Sequence, residues 1–143
     1  MSTDYKEKVL RSTTVVVTPA QIKAIVATDV TIIAAPGAGK AIVPVRAILT
    51  LDFNAAAYAW ANSDHTLGFN LGGIAAANDA GAQALIEAAS RLSVSWSAAA
   101  QATLAENTAL LLQAGGTGEP TTGDSNLLVE VLYYVCDVTG DND

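Results

Sequence analysis

The sequence predicts a mainly β protein, a two-sheet β-sandwich of jelly-roll type with one or two short helices. Two long segments, Lys40–Phe53 and Asn126–Val138, have strand character, and turn signals divide the chain into seven or eight strands in all. The chain has 143 residues, of which 51% are apolar, enough for one packed domain. We expect that domain over residues 13–138, between a flexible N-terminal arm of residues 1–12 and an acidic tail of residues 139–143.

Local residue preferences predict the first strands and the first helix. Thr13–Val17 is β-branched throughout, which favours a strand. Thr18 is a suitable N-cap for one or two helical turns over residues 18–25, and Pro19 occupies the first helical position, where a missing N–H costs nothing. A second strand is predicted over Val30–Ala35.

The strongest periodic signal follows the turn Pro36–Gly39. Over Lys40–Phe53 the odd positions are all apolar, whereas the even positions include Pro44, Arg46, Thr50 and Asp52. Such alternation is typical of a strand with one buried face. Because Pro44 cannot donate a ladder hydrogen bond, we expect this strand to lie at a sheet edge or to have a bulge nearby.

Four shorter segments also have strand character: Ala57–Ala61, Leu67–Leu71, Leu92–Ser97 and Thr108–Gln113. Between them, the apolar spacing from Ala82 to Ala89 predicts a helix. Asp79 would cap this helix. A pair between Glu87 and Arg91, four residues apart, would support it.

The last long strand has two different faces. It follows a glycine-rich loop, residues 114–125, which is long enough that we expect it to make contacts. One face of the strand is continuously apolar, and the other mixes apolar and polar side chains. The mixed face would pack under a loop or against another subunit. Its candidate subunit-interface residues are Leu128, Leu132 and Tyr134.

Composition excludes several classes of function. Seven Lys and Arg against fourteen Asp and Glu give a net charge of −7, which argues against a nucleic-acid partner because phosphates require a basic face. No apolar run approaches the ~20 residues of a membrane-spanning helix, so no membrane association is expected. The first eleven residues lack the apolar stretch of a signal peptide, and we expect a product made and used without Sec export.

Reactive side chains are sparse. Cys136 is the sole cysteine, which excludes an intrachain disulfide and multi-cysteine zinc sites. His65 is the sole histidine and is expected in an exposed polar turn. Trp60 and Trp96 are candidates for stacking on a sugar, but core or interface packing is the favoured interpretation. We therefore predict no catalytic residues, cofactor or metal, and no enzyme activity.

The segment Ala34–Ala41 resembles a phosphate-binding P-loop, G-x-x-x-x-G-K-[ST]. Gly39 and Lys40 match this motif. Ala34 replaces its first glycine, however, and Ala41 replaces the hydroxyl that would hold magnesium. The residues that follow are strand-like, whereas a P-loop opens a helix. We predict a tight hairpin turn and no nucleotide binding.

Several phrases of the sequence are similar to small virion proteins of tailed bacteriophages. Thr18–Lys23 (TPAQIK) and Ala34–Ile42 (AAPGAGKAI) resemble a turn, a hairpin and the start of a long strand in those chains. Asn107–Val135 resembles their closing pattern of a strand, a glycine-rich loop and a tyrosine-bearing strand. The resemblance covers residues 13–53 and 107–138.

The resemblance implies a β-sandwich capsid decoration (cement) protein. Such a protein would be made in the host cytoplasm, form a homotrimer, and bind the major capsid protein on the outer surface of the head. Candidate capsid contacts in the arm are Lys6, Lys8 and Arg11, which would meet an acidic part of the shell. Two alternatives stay open: a tail or head-fibre component, and a carbohydrate- or receptor-binding jelly-roll module.

Overall fold

The chain folds into two four-stranded antiparallel sheets and a two-stranded ribbon. The computed structural model describes residues 9–62, 64–71, 74–79, 82–97 and 104–138. Its helices are α1 (Pro19–Ile22) and α2 (Ala82–Ile86). Its strands are β1 (Arg11–Val17), β2 (Val30–Ile33), β3 (Lys40–Asp52), β4 (Tyr58–Ala59), β5 (Thr66–Leu71), β6 (Ile74–Asp79), β7 (Leu92–Ser97), β8 (Leu110–Gly115), β9 (Thr121–Thr122) and β10 (Asn126–Asp137).

The strand order confirms the predicted two-sheet β-sandwich with two short helices. Sheet A has the order β1-β10-β3-β7, and sheet B has the order β2-β8-β5-β6. Every pairing within the two sheets is antiparallel. The strands β4 and β9 form the ribbon.

The core lies between the two sheets and contains the side chains that the alternating pattern predicts to face inward. Sheet A contributes Leu49, Leu51, Leu127, Val129 and Val131. Sheet B contributes Leu67, Phe69, Leu71, Leu110 and Leu112. Each is at most 2% exposed. Burial of a Val, Leu or Phe side chain contributes about 1.5–3 kcal/mol, so these strands hold the two sheets together.

The helix α1 begins as its sequence predicts. Thr18 Oγ1 accepts the N–H of Gln21 at 3.3 Å, and Gln21 Oε1 accepts the N–H of Thr18 at 2.9 Å. This reciprocal capping box, with Pro19 in the first turn, satisfies two backbone donors at the start of the helix.

Pro44 lies beside a β-bulge in β3. The strand β10 pairs with β3 in one register as far as Arg46 and then passes over Val45, so that Tyr133 lies opposite Pro44. Val45 is therefore 39% exposed, although the alternation predicts an inward side chain. The bulge is one of the two arrangements that the sequence predicts for this proline.

The middle of the chain differs from its prediction. The helix α2 ends at Ile86, and Asp79, predicted as its cap, belongs to the strand β6, which was not predicted. The Glu87 carboxylate accepts the N–H of Trp60 at 2.6 Å, and Arg91 pairs with Asp52. An ion pair between Glu87 and Arg91 on a helix would contribute only about 0.2–0.5 kcal/mol. Both side chains bond to partners from other parts of the chain instead.

The remaining boundaries differ by a few residues. The predicted strand Ala57–Ala61 is reduced to β4, and the strand predicted from Thr108 begins at Leu110. The strand β1 begins at Arg11, inside the predicted arm. Residues 1–8 of that arm and the tail of residues 139–143 lie outside the described residues. No helix in the described part is long and apolar enough to cross a membrane.

The strand register defines two ends of the sandwich. The terminal end contains the start of β1, the end of β10, the β2–β3 connection and residues 104–109. The loop end contains residues 18–29, 53–62, 64–65, 87–91 and 116–125.

Candidate docking surface

The outer face of sheet A carries the candidate subunit-interface residues. Leu128, Leu132 and Tyr134 alternate along β10 with core side chains and are half-buried. Residues directly opposite each other share one face of an antiparallel sheet, which places Val16 of β1 beside Leu128. Val16 is 49% exposed. These four residues form an accessible surface, here called the apolar strip.

Polar side chains flank the apolar strip on the side of β7. Thr50 Oγ1 and Ser93 Oγ are 2.8 Å apart, and Arg46 Nε donates to Ser95 Oγ at 2.7 Å. Glu130 lies within the strip, between Leu128 and Leu132 in the strand. This face is therefore mixed, with apolar side chains around Glu130 and hydrogen-bonded polar side chains on the side of β7.

The candidate capsid contacts are only partly within the described residues. Arg11 is exposed at the start of β1, opposite Tyr133. Val9 and Leu10 precede it and are 59% and 50% exposed. Lys6 and Lys8 lie outside the described residues. The described part of the arm therefore presents one cation and two apolar side chains at the terminal end.

In the turn that resembles a P-loop, two backbone N–H groups are already hydrogen-bonded to side chains of the same chain. The N–H of Gly39 donates to Glu106 Oε1 at 2.7 Å, and the N–H of Gly37 donates to Asn107 Oδ1 at 3.0 Å. A phosphate would need these same N–H groups and would meet the negative charge of Glu106. The tight turn is confirmed. The predicted hairpin is wrong, because the turn joins β2 and β3, which belong to different sheets.

Two glutamates at the loop end accept hydrogen bonds from backbone N–H groups of distant segments. Glu119 accepts the N–H groups of Val26 and Ala27 at 2.8 and 2.7 Å, across more than 90 residues of sequence. Glu87 accepts the N–H of Trp60 in the same way. Hydrogen bonds to charged groups contribute about 1.5–3 kcal/mol, which offsets part of the entropy lost when a loop is ordered.

Asp124 and Tyr58 form a second set of contacts at this end. The Asp124 carboxylate accepts the N–H groups of Ala56 and Ala55 at 2.9 and 3.1 Å. These bonds hold the pKa of Asp124 below its usual range. The Tyr58 hydroxyl donates to the carbonyl oxygen of Ser125 at 2.6 Å. Burial, together with the charge of Asp124, raises the pKa of Tyr58 to about 12.

His65 is buried, and its prediction as an exposed turn residue was wrong. Its ring stacks on that of Trp60 with centroids 3.9 Å apart. Gly116 makes room for this stack, because a Cβ there would meet His65 Nδ1. The neighbouring Asp64 accepts bonds from Thr117 Oγ1 at 2.9 Å and from the Thr117 N–H at 3.3 Å, and these bonds lower its pKa. His65 is buried because its ring stacks on Trp60. The polar residues around His65 in the sequence give no indication of this burial.

The two tryptophans are core residues, as predicted. Trp60 is 2% exposed and Trp96 is 9% exposed. Trp60 Nε1 donates to the carbonyl oxygen of Gly118 at 2.9 Å, and Trp96 packs edge-on against Phe69. Neither ring is therefore presented to a sugar. Cys136 is half-buried near the end of β10. Among the described residues, no cluster of three or more His, Cys, Asp or Glu is placed to hold a metal ion.

The sequence interpretation named three of the four residues of the apolar strip, Leu128, Leu132 and Tyr134, but missed the carboxylate contacts. Glu119 and Asp124 lie in the long loop for which contacts were expected, and their acidity within a Gly/Pro/Thr-rich segment is the signal that points to them. Glu106 and Asn107 carry no comparable signal. Their partners, the N–H groups of the β2–β3 turn, are about 70 residues away in the chain.

The fold has a counterpart among solved structures. No family model matches the chain, and no curated protein sequence matches it. A chain of the structure described as the "Cyanophage Pam1 capsid asymmetric unit" is similar, with a TM-score of 0.52 and 22% sequence identity. The match covers 88% of this chain and 83% of that chain. At this identity, the likeness shows a shared fold.

Proposed function

We propose that the protein is a structural component of a tailed-phage virion and not an enzyme. The observation that carries this proposal is the fold likeness to a chain of a cyanophage capsid asymmetric unit, which extends over most of both chains. The phrases TPAQIK and AAPGAGKAI, similar to small virion proteins, support it independently.

Its position on the virion is the outer surface of the head, as a capsid decoration protein that binds the major capsid protein and bridges neighbouring subunits. The sandwich suits this role. Its eight longer strands form two four-stranded antiparallel sheets, and carboxylate hydrogen bonds connect its loops. A rigid body of this kind loses little conformational entropy when it docks.

The protein is a homotrimer in this proposal, and the apolar strip is part of the subunit interface. Val16, Leu128, Leu132 and Tyr134 are accessible on sheet A and are bordered by polar residues. Burial of the strip against a second copy would remove its apolar surface from water at about 25 cal/mol per Å².

The oligomeric state tests the interface. Native mass spectrometry of the purified protein is expected to give three times the chain mass. Leu132→Glu places a charge in the strip and is expected to give monomers. Thr31→Glu, at an exposed position of β2 in sheet B, is the matched control and is expected to leave the trimer intact. A wild-type monomer, or two variants with the same mass, contradicts the interface.

Head binding tests the function itself. Heads of the encoding phage, made without this protein, are heated with and without the purified protein, and DNA release is measured. A protein that binds the assembled shell better than its separated subunits must stabilise the shell. Saturable binding and a higher release temperature are expected. Unbound protein and an unchanged release temperature contradict the proposal.

A further inference from the structure

A pocket opens at the terminal end of the sandwich, between the start of β1, the β2–β3 connection, the start of β3 and the end of β10. It has a volume of about 300 Å³. Its walls are part apolar and part polar, and the lining includes two cations. The lining residues are Arg11, Ile33, Ala34, Pro36, Lys40, Ile42, Tyr133 and Val135.

Irregular strand pairing lies on both sides of this pocket. In sheet A the register shifts between Leu132 and Tyr133, and in sheet B it shifts between Thr31 and Ile33. Bulges of this kind bend a strand and change the direction of its side chains. The pocket lies at this level, where the pairing within both sheets is irregular.

Both cations of the pocket, Arg11 and Lys40, can pair with an incoming carboxylate. Arg11 makes no ion pair with any residue that the structure describes, although the chain carries fourteen acidic residues. Lys40 Nζ pairs with Asp137 at 3.3 Å, and both side chains are partly exposed. Such a pair contributes about 0–1 kcal/mol, so an incoming carboxylate can compete for Lys40. The acidic Glu106 nearby is already bonded to the N–H of Gly39.

We propose that this pocket binds an acidic segment of the capsid partner. In this segment an aliphatic side chain packs against the half-buried Ile33 and Val135, and an adjacent carboxylate pairs with Arg11 and Lys40. The proposal rests on the function proposed above and names the chemistry of the contact. The mixed lining favours this occupant over an inorganic anion, because an anion alone would leave the apolar wall exposed to water.

A peptide titration tests the pocket without any phage component. The probes are acetyl-Leu-Glu-amide and its uncharged analogue acetyl-Leu-Gln-amide, added to ¹⁵N-labelled protein and followed by NMR. Saturable shifts at Ile33, Ala34 and Ile42 are expected, with the Glu peptide bound about fivefold more tightly, the ratio that corresponds to one exposed ion pair. Equal affinities, or shifts elsewhere on the surface, overturn the proposal.

Two variants test the charge at the pocket and the volume of the pocket separately. Arg11→Gln is expected to remove the preference for the Glu peptide, whereas Lys23→Gln, at an exposed lysine of the loop end, is expected to retain it. Ala34→Trp, from an exposed position of the wall, fills the pocket and is expected to abolish binding of both peptides. A melting temperature equal to that of wild type shows that this variant is folded. Undiminished binding by folded Ala34→Trp overturns the proposal.

Head binding by charge-reversal variants links the pocket to the proposed function. Arg11→Glu and Lys23→Glu change the net charge equally, and Arg11→Glu alone is expected to weaken binding, by tenfold or more. If wild type and Arg11→Glu bind heads equally, the pocket is not the contact, and the proposed function stands. If wild type does not bind heads, the proposed function fails, whatever the peptide titration shows.

Discussion

The two ends of the sandwich are ordered by different kinds of contact. At the loop end, four carboxylates accept backbone N–H groups from segments distant in the chain: Asp64, Glu87, Glu119 and Asp124. At the terminal end, Glu106 is the carboxylate that does so among the residues described. An exposed ion pair and an open pocket lie beside it.

Charged side chains therefore have two different roles in this acidic protein: some carboxylates order loops, and some cations are exposed to a partner. Irregular loops have backbone N–H groups without strand partners, and these groups must find acceptors. A carboxylate can satisfy two of them at once, as Glu119 and Asp124 do. Part of the negative charge is therefore structural, and most of it lies at the loop end. The scarce cations Arg11 and Lys40 remain at the surface of the other end, where a partner can reach them.

The largest expected effect is at Gly116 in the loop end. Gly116→Ala would place a Cβ against His65 Nδ1 and 3.0 Å from the carbonyl oxygen of Asp64, at a φ of +114°. Overpacking and backbone strain together are expected to lower the free energy of unfolding by about 2–4 kcal/mol in urea denaturation. Gly118→Ala has a positive φ and open space, and is expected to cost about 1 kcal/mol. Equal losses would show that the ring stack is not tightly packed.

Glu119 is expected to have the next largest effect. Glu119→Ala leaves the N–H groups of Val26 and Ala27 without their acceptor, which is expected to cost about 1.5–3 kcal/mol. Hydrogen exchange at those two amides is expected to accelerate. Asp29→Ala, an exposed residue of the same end, is the control and is expected to change stability by less than about 0.5 kcal/mol. Unchanged protection of both amides in Glu119→Ala would contradict the carboxylate contact.

Acidification is expected to weaken the loop end. The pKa values of Asp64 and Asp124 are lower in the folded chain than in the unfolded chain, so the unfolded state binds protons first as the pH falls. The stabilisation is complete above about pH 4 and is lost as the pH falls through the lowered values. Urea denaturation between pH 7 and pH 2 measures this loss. The double variant Asp64→Asn/Asp124→Asn is expected to show a smaller loss, and a loss equal to that of wild type would contradict the linkage.

The smallest effect is expected for the exposed ion pairs, and it should be the same at both ends. Lys40→Met removes the pair with Asp137, and Arg91→Met removes the pair with Asp52. Each is expected to change the free energy of unfolding by at most about 1 kcal/mol. A loss above about 2 kcal/mol for Lys40→Met alone would mean that the terminal end also depends on charge for its order.

Periodicity predicted the strands because it reflects burial directly. The alternation in β3 and β10 indicates which side chains face the core, and Leu49, Leu51, Leu127 and Val129 are all buried. It failed at Val45, where one extra residue changes the face without changing the apolar pattern. The same reasoning identified the apolar strip, because a second face with Leu128 and Leu132 is unusual for a solvated strand.

Contacts between distant loops could not be predicted in this way. His65 lies in a polar segment, and its burial depends on Trp60 and on the absence of a side chain at Gly116. The acceptors for Gly37 and Gly39 come from Asn107 and Glu106. No local pattern specifies such pairs, because they follow from the order of the strands and not from the residues on either side.

The central claim is that the chain binds the outer surface of a phage head. Cryo-electron microscopy of heads made without the protein, imaged before and after its addition, tests this claim most directly. The account predicts new density on the outside of the shell, in groups of three copies, with the terminal end facing the capsid. Heads that stay bare, or density confined to the tail attachment site, would contradict it.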